Sequence, residues 1–134
     1  DLMAVIKPGL VMDLHEHDGE DYWMSARHQR TDEDESWEIK ISTAVANAVA
    51  ETGTTLHDGA EGYAASEHFE ELGPGVFWLN ASVRGQGLNL ADYGAQHCPS
   101  FTVETGLQGP LAARVAMQKL TVQTAVSVFE QRYA

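Results

Sequence analysis

The sequence predicts an α/β fold, part of a mixed sheet covered by helices. Two observations predict it. Short apolar runs of strand length stand at 9–14, 76–79 and 100–104, each beside turn-forming residues. Two long stretches, 34–51 and 111–132, carry apolar residues at the helical spacing of three and four. Strands alternating with amphipathic helices imply a sheet with helices packed over it. The order of the strands stays open at this stage.

In chain order, Asp1 to Lys7 reads as the last turns of a helix, stopped by Pro8-Gly9. A domain rarely starts in mid-helix. The chain is therefore expected to be a segment of a longer protein, a processed piece or one part of a split protein. Residues 9–14 read as a buried strand, 15–21 as a polar loop, and Tyr22-Trp23-Met24 as the start of another strand. Thr31 or Asp32 caps the next helix, with acidic residues in its first turn. That helix places Trp37, Ile41, Ala44, Val45 and Ala48 on one face and ends at Gly53. Residues 54–75, rich in Gly, Thr, Glu and Ala, read as irregular. Val76 to Leu79 is a short strand, 84–87 a glycine-rich loop, and Leu90 to His97 a short helix capped by Asn89. The strand at 100–104 leads through Gly106 and Gly109-Pro110 into the last helix, with Pro110 at its start. Leu111, Val115, Val122, Ala125, Val126, Phe129 and Tyr133 are expected along one side of that helix. Trp23, Trp37 and Trp78 are expected to anchor the core.

The 134 residues suffice for one domain with a core. Eight basic against twenty acidic residues give a net charge of −12. This argues against nucleic acid, whose phosphates need a positive face, and against anionic membranes. No apolar run approaches the ~20 residues that span a bilayer. Ten of the twenty carboxylates lie between Asp13 and Glu38, most of them reading as a solvated loop and helix start. The single cysteine, Cys98, has no internal disulfide partner and reads as a small core or near-surface residue. It fits a reducing compartment, here taken as the cytoplasm, or simple indifference to redox.

Two strand ends carry the chemistry. His15 follows the apolar run Gly9 to Leu14, and Glu104 ends the run Phe101-Thr102-Val103. Open α/β sheets place their sites at the C-terminal edges of strands. A neutral imidazole is a good zinc ligand. Asp13 lies two residues before His15, on the same face of an extended strand. His17 shares that face if the chain stays extended. The alternative for His15 is a polar loop without metal. Burial of the Glu104 carboxyl would raise its pKa and suit it to general-base work. The alternative is a structural glutamate paired with Arg84 or Lys119. His28, His57, His68 and His97 read as surface or structural histidines. Cys98, with only His97 nearby, is a poor nucleophile.

The stretch Val11-Met12-Asp13-Leu14-His15-Glu16, with Asp18-Gly19 after it, resembles the segment bearing the third zinc ligand in the M14 metallocarboxypeptidase superfamily. Ser100-Phe101-Thr102-Val103-Glu104-Thr105-Gly106 resembles that superfamily's general-base strand. Asp92-Tyr93-Gly94 stands where members often carry an Asp and an aromatic helix. The Glu-Thr-Gly ending, with Gly109-Pro110-Leu111 soon after, is closer to the succinylglutamate desuccinylase/aspartoacylase branch. The resemblance covers residues 5–130 but only the C-terminal half of such a domain.

The resemblance implies a zinc carboxypeptidase-like fold and a zinc-dependent hydrolase that cleaves an amide bond of an N-acyl amino acid or small peptide. His15 would be a zinc ligand. Glu104 would activate a zinc-bound water and later protonate the leaving amine. Arg84 would hold a substrate carboxylate through its planar fork. The departures are equally definite. No histidine stands in a matching HxxE context, the asparagine–arginine clamp would lie outside this chain, and Ala81 to Gly85 does not match the mobile-loop tyrosine segment. An upstream segment or partner chain is expected to supply the remaining ligands. The other reading is a non-catalytic binding or assembly module that keeps the fold.

Overall fold

The computed structural model describes residues 2–27, 31–59, 69–79 and 90–134. The order is α1 (Leu2–Ile6), β1 (Val11–His17), β2 (Tyr22–Arg27), α2 (Asp32–Glu51), β3 (Phe69–Gly73), β4 (Val76–Leu79), α3 (Leu90–Gly94), β5 (Ser100–Gly106) and α4 (Leu111–Glu130). A 3₁₀ turn, Gln131–Tyr133, follows α4. The strands form one sheet in the order β1-β5-β2-β4-β3. β1–β5 and β2–β4 are parallel, while β2–β5 and β3–β4 are antiparallel. The sheet is mixed, as expected.

Alternation along each strand decides which side faces the helices. Tyr22, Met24, Ala26, Trp78, Phe101 and Val103 point to one side, against Ile41, Val45 and Val49 of α2 and Ala125 of α4. Tyr22 reaches across this layer, its hydroxyl 2.9 Å from the Thr121 hydroxyl, and burial pushes the phenol pKa up. Helix α2 starts where the capping signal placed it. Thr31 Oγ1 accepts from the Asp34 N–H at 3.1 Å, and Asp32, Glu33, Asp34 and Glu35 meet the positive end of the helix dipole. Glu38, fully buried on α2, accepts the Ser100 N–H at 2.9 Å and so fixes the first residue of β5.

Several expectations need correction. β1 does not stop at Leu14: its parallel pairing with β5 continues to His17, so the polar end of the strand is held by backbone hydrogen bonds. The stretch 54–75 contains β3, which pairs antiparallel with β4. Helix α3 ends at Gly94 rather than His97, and Asn89 lies outside the described residues. On α4 the inward residues are Met117, Leu120, Thr121, Ala125, Val128 and Phe129. Of the expected stripe only Ala125 and Phe129 belong there, while Leu111, Val115, Val126 and Tyr133 are exposed. Apolar residues surround this helix, so spacing alone does not select its buried side. Trp23 and Trp78 are buried, but Trp37 is half-buried under the Lys40 ammonium, 4.4 Å from the ring centre. Cys98 is buried beside the Gly94 carbonyl. No helix among the described residues is long and apolar enough to cross a membrane.

Candidate functional site

Residues opposite one another in a sheet project from the same face. His15 is opposite Glu104, and Glu104 is opposite Trp23. Asp13, Thr102 and Ser25 form the next rung. This face is the one turned away from α2 and α4. Helix α3 covers its N-terminal part, where Ser100 Oγ donates to the Ala91 carbonyl at 2.7 Å. Gly94 permits that approach, since an added Cβ would lie 3.0 Å from Val11. His15 and Glu104 stand beyond α3, towards the C-terminal ends of the parallel pair.

The imidazole of His15 lies between two carboxylates. Its Nε2 is 3.1 Å from Asp13 Oδ1, and its Nδ1 is 3.4 Å from Glu104 Oε1. The ring is 46% exposed, whereas Glu104 is 14% exposed. Burial pushes the Glu104 carboxyl above its ordinary value; His15 and His17 oppose that shift, and the Asp13 charge adds to it. The site thus joins a solvent-facing imidazole, flanked by negative charge, to a half-buried carboxyl that holds a proton more readily than a surface glutamate. Lys119 is not the partner of Glu104. It lies with Leu14 on the helix side of the sheet.

Gly106 explains the end of β5. A Cβ there would sit 2.6 Å from the Gly19 carbonyl oxygen, so the 18–20 bend closes against bare backbone. The Leu107 N–H donates to the His17 carbonyl at 2.9 Å, and the Gln108 amide donates to the Asp18 carbonyl at 2.8 Å.

His17 points to the same face but is otherwise engaged. Its Nδ1 accepts the Gly19 N–H at 3.0 Å, and its Nε2 donates to the Asp21 carbonyl at 2.9 Å. Although His17 and Glu20 have HxxE spacing, Glu20 is exposed and both nitrogens of His17 are used. The Asp21 carboxylate also contacts His57 Nδ1. His57, read from the sequence as a surface or structural residue, packs beside Trp23 and Phe77. No local pattern links positions 21 and 57; their meeting follows from the bridge between Tyr22 and Leu56.

A second polar group is centred on Arg27, which the sequence did not single out. Arg27 is 2% exposed on the site face. Its Nε donates to Asp92 Oδ1 at 2.5 Å, Nη1 to Ser25 Oγ at 2.7 Å and Nη2 to Thr102 Oγ1 at 2.9 Å. This network fastens α3 to the sheet and gives Asp92 of the Asp-Tyr-Gly segment a structural task. Thr102 lies one rung from Glu104, so the network also fixes β5 beneath the site.

Among the described residues, no three His, Cys, Asp or Glu side chains converge so as to hold a metal ion. At His15, Asp13 and Glu104 lie against opposite ring nitrogens and so do not converge with the imidazole on one point. The donors fit one corner of a metal site. Arg84, His28 and His68 lie outside the described residues.

A solved structure from Shewanella amazonensis SB2B, described as a "putative metallopeptidase", shares this fold with a TM-score of 0.61 at 14% identity. The match covers 96% of this chain but 43% of the Shewanella chain, so the present chain spans less than half of that protein. No protein-family model matches the chain, and no curated protein matches it.

Proposed function

We propose that residues 1–134 form the C-terminal half of an M14-like, zinc-dependent hydrolase of the succinylglutamate desuccinylase/aspartoacylase type. It cleaves an amide bond in an N-acyl amino acid or small peptide. The observation that carries this reading is the shared rung of His15 and Glu104 at the C-terminal end of a parallel strand pair. Zinc suits the imidazole of His15, and donors from an upstream segment or partner chain complete its set. When bound, the metal supplies Lewis acidity at the substrate carbonyl.

Glu104 accepts the proton of a water as its oxygen bonds to the carbonyl carbon. The C–N bond then breaks, and Glu104 returns the proton to the departing amine. Burial that raises its pKa makes Glu104 the better acceptor in the first half of this exchange. Asp13, on the other side of the ring, orients the His15 imidazole. Arg84 pairs with a carboxylate of the substrate.

The test uses the full-length polypeptide that carries these residues. His15→Ala is expected to lower its zinc content. Glu104→Gln is expected to keep the zinc and abolish hydrolysis of N-acyl amino acids. Unchanged turnover in Glu104→Gln would remove Glu104 from the mechanism. A protein that binds such compounds without hydrolysing them would support the second reading, a binding or assembly module. The divergence of Asp13 and Glu104 around His15 favours that alternative.

A further inference from the structure

Two buried polar side chains with unpaired atoms line one hollow on the helix side of the sheet. Thr105 stands opposite Tyr22 and shares its face, so it points away from the side of Glu104 and towards α4. It is 5% exposed, and its Oγ1 has no hydrogen-bond partner among the described residues. Arg114, near the start of α4, has a buried Nε that is equally without a partner there. Folded proteins pair nearly all buried polar atoms, because a donor left alone out of water is costly. Both residues line a single cavity of about 110 Å³ between the end of β5 and the start of α4.

The remaining wall narrows what fits. Tyr22, Ala113 and Met117 supply apolar surface, and the Tyr22 hydroxyl is already engaged by Thr121. Gly109 brings the entry to α4 onto the wall. This 20-residue helix starts after Pro110 with no side-chain cap and no acidic residue in its first turn. The leading N–H groups of a helix lack acceptors within it and favour negative charge. A cavity of roughly 150 Å³ holds the six carbons of benzene. By proportion, about 110 Å³ suits about four or five non-hydrogen atoms.

The nearby charges set the sign. Arg114 and the helix start repel a cation. Glu16 already takes Arg114 Nη1 at 2.6 Å, and exposed Glu20 is part of the wall. The Asp21 carboxylate is drawn to His57. A doubly charged oxyanion would meet too many carboxylates, whereas a single negative charge finds Arg114 Nε and the helix start in its favour.

We infer that this hollow binds a short aliphatic carboxylate, of the size of acetate or propionate. Its oxygens accept from Arg114 Nε and the Thr105 hydroxyl, and its alkyl end packs on Met117 and Ala113. The site lies across the sheet from Glu104 and does not depend on the proposed function.

The test titrates the full-length polypeptide, freed of metal, with sodium acetate at constant ionic strength. Saturation-transfer NMR on the acetate methyl group reads the binding. Saturable binding in the millimolar range is expected. Thr105→Val and Arg114→Gln should each weaken it about ten-fold, as the loss of a hydrogen bond to a charged group requires. His15→Ala should leave it unchanged. Acetamide, which has the same shape without the charge, should bind about ten-fold more weakly than acetate. Methylammonium should not compete. The absence of saturable binding, equal binding of acetamide, displacement by methylammonium, or unchanged affinity in either Thr105→Val or Arg114→Gln would overturn the inference. So would loss of binding in His15→Ala, which would put acetate on the other face of the sheet. If a variant does not fold, the acetamide and methylammonium comparisons in the parent protein decide. Thermal unfolding gives an independent reading. Without acetate, Thr105→Val should melt no lower than the parent, since it removes an unpaired hydroxyl. With saturating acetate, the parent should gain more than the variant. A variant that melts lower without acetate, or gains as much with it, overturns the site.

Discussion

Replacing Asp92 by alanine tests whether the Arg27 network holds the site face together. The guanidinium is almost wholly buried and its Nε sits 2.5 Å from the Asp92 carboxylate. Removing one member of a buried ion pair costs about 3–5 kcal/mol, because the other charge stays out of water. Here the hydroxyls of Ser25 and Thr102 remain as acceptors, which places the loss near the lower end, about 3 kcal/mol. For a domain of this size, with a urea m-value of about 2 kcal/mol/M, that moves the unfolding midpoint down by about 1.5 M. Equilibrium urea unfolding followed by tryptophan fluorescence reads the shift, with Trp23 and Trp78 buried in the native state. The paired replacement Arg27→Met with Asp92→Leu removes both charges together and should fall within about 2 kcal/mol of the parent. A loss below about 1 kcal/mol for Asp92→Ala would mean that the pair behaves like a surface salt bridge. The account of α3 as a clamp would then be wrong.

Further outcomes follow from other contacts. Because burial raises the Glu104 pKa, folding favours its neutral form; that contribution is full below the ordinary value of 4.5 and is lost as pH rises through the folded-state value. In metal-free protein, the melting temperature of Glu104→Gln relative to the parent should therefore be higher at pH 7 than at pH 4; a fall would contradict the burial argument. Tyr22→Phe strips Thr121 of its buried hydroxyl partner and should cost about 1–2 kcal/mol in urea unfolding. Gly106→Ala forces a Cβ against the 19–20 backbone and should cost about 1–3 kcal/mol, with chemical-shift changes centred on residues 18–21. Calorimetric titration of the 134-residue chain with zinc should show no sub-micromolar site, since catalytic zinc normally takes three protein ligands.

Much of the fold was legible because its signals are local. The Thr31 cap and the β4 and β5 runs each depend on residues close in sequence; of the side expected inward on α2 only Ile41 and Val45 are buried, beside Glu38, Ser42, Ala46 and Val49. β3 was missed because Phe69-Glu-Glu-Leu-Gly73 is mostly exposed and so lacks the apolar alternation that marks a half-buried strand. The end of β1 was misplaced because polar His15, Glu16 and His17 look like loop, while the register with β5 that holds them is non-local. The candidate site divides the same way. His15 and Glu104 stood out as polar residues closing apolar runs. Arg27, Asp21 and His57 did not, and Asp92 was marked only by the resemblance of Asp92-Tyr93-Gly94, because each acquires its partner only through sheet pairing or through α3.

The placement of β5 also orders events in time. β1 and β2 follow one another in the chain, yet β5 lies between them. While the protein is being synthesised, the first two strands must leave a vacant slot that a much later stretch fills. Every contact that slot creates is long-range, so its closure belongs among the slow steps of folding. A nascent chain halted before Ser100 therefore carries His15 without Glu104, and the two first meet when β5 slides home.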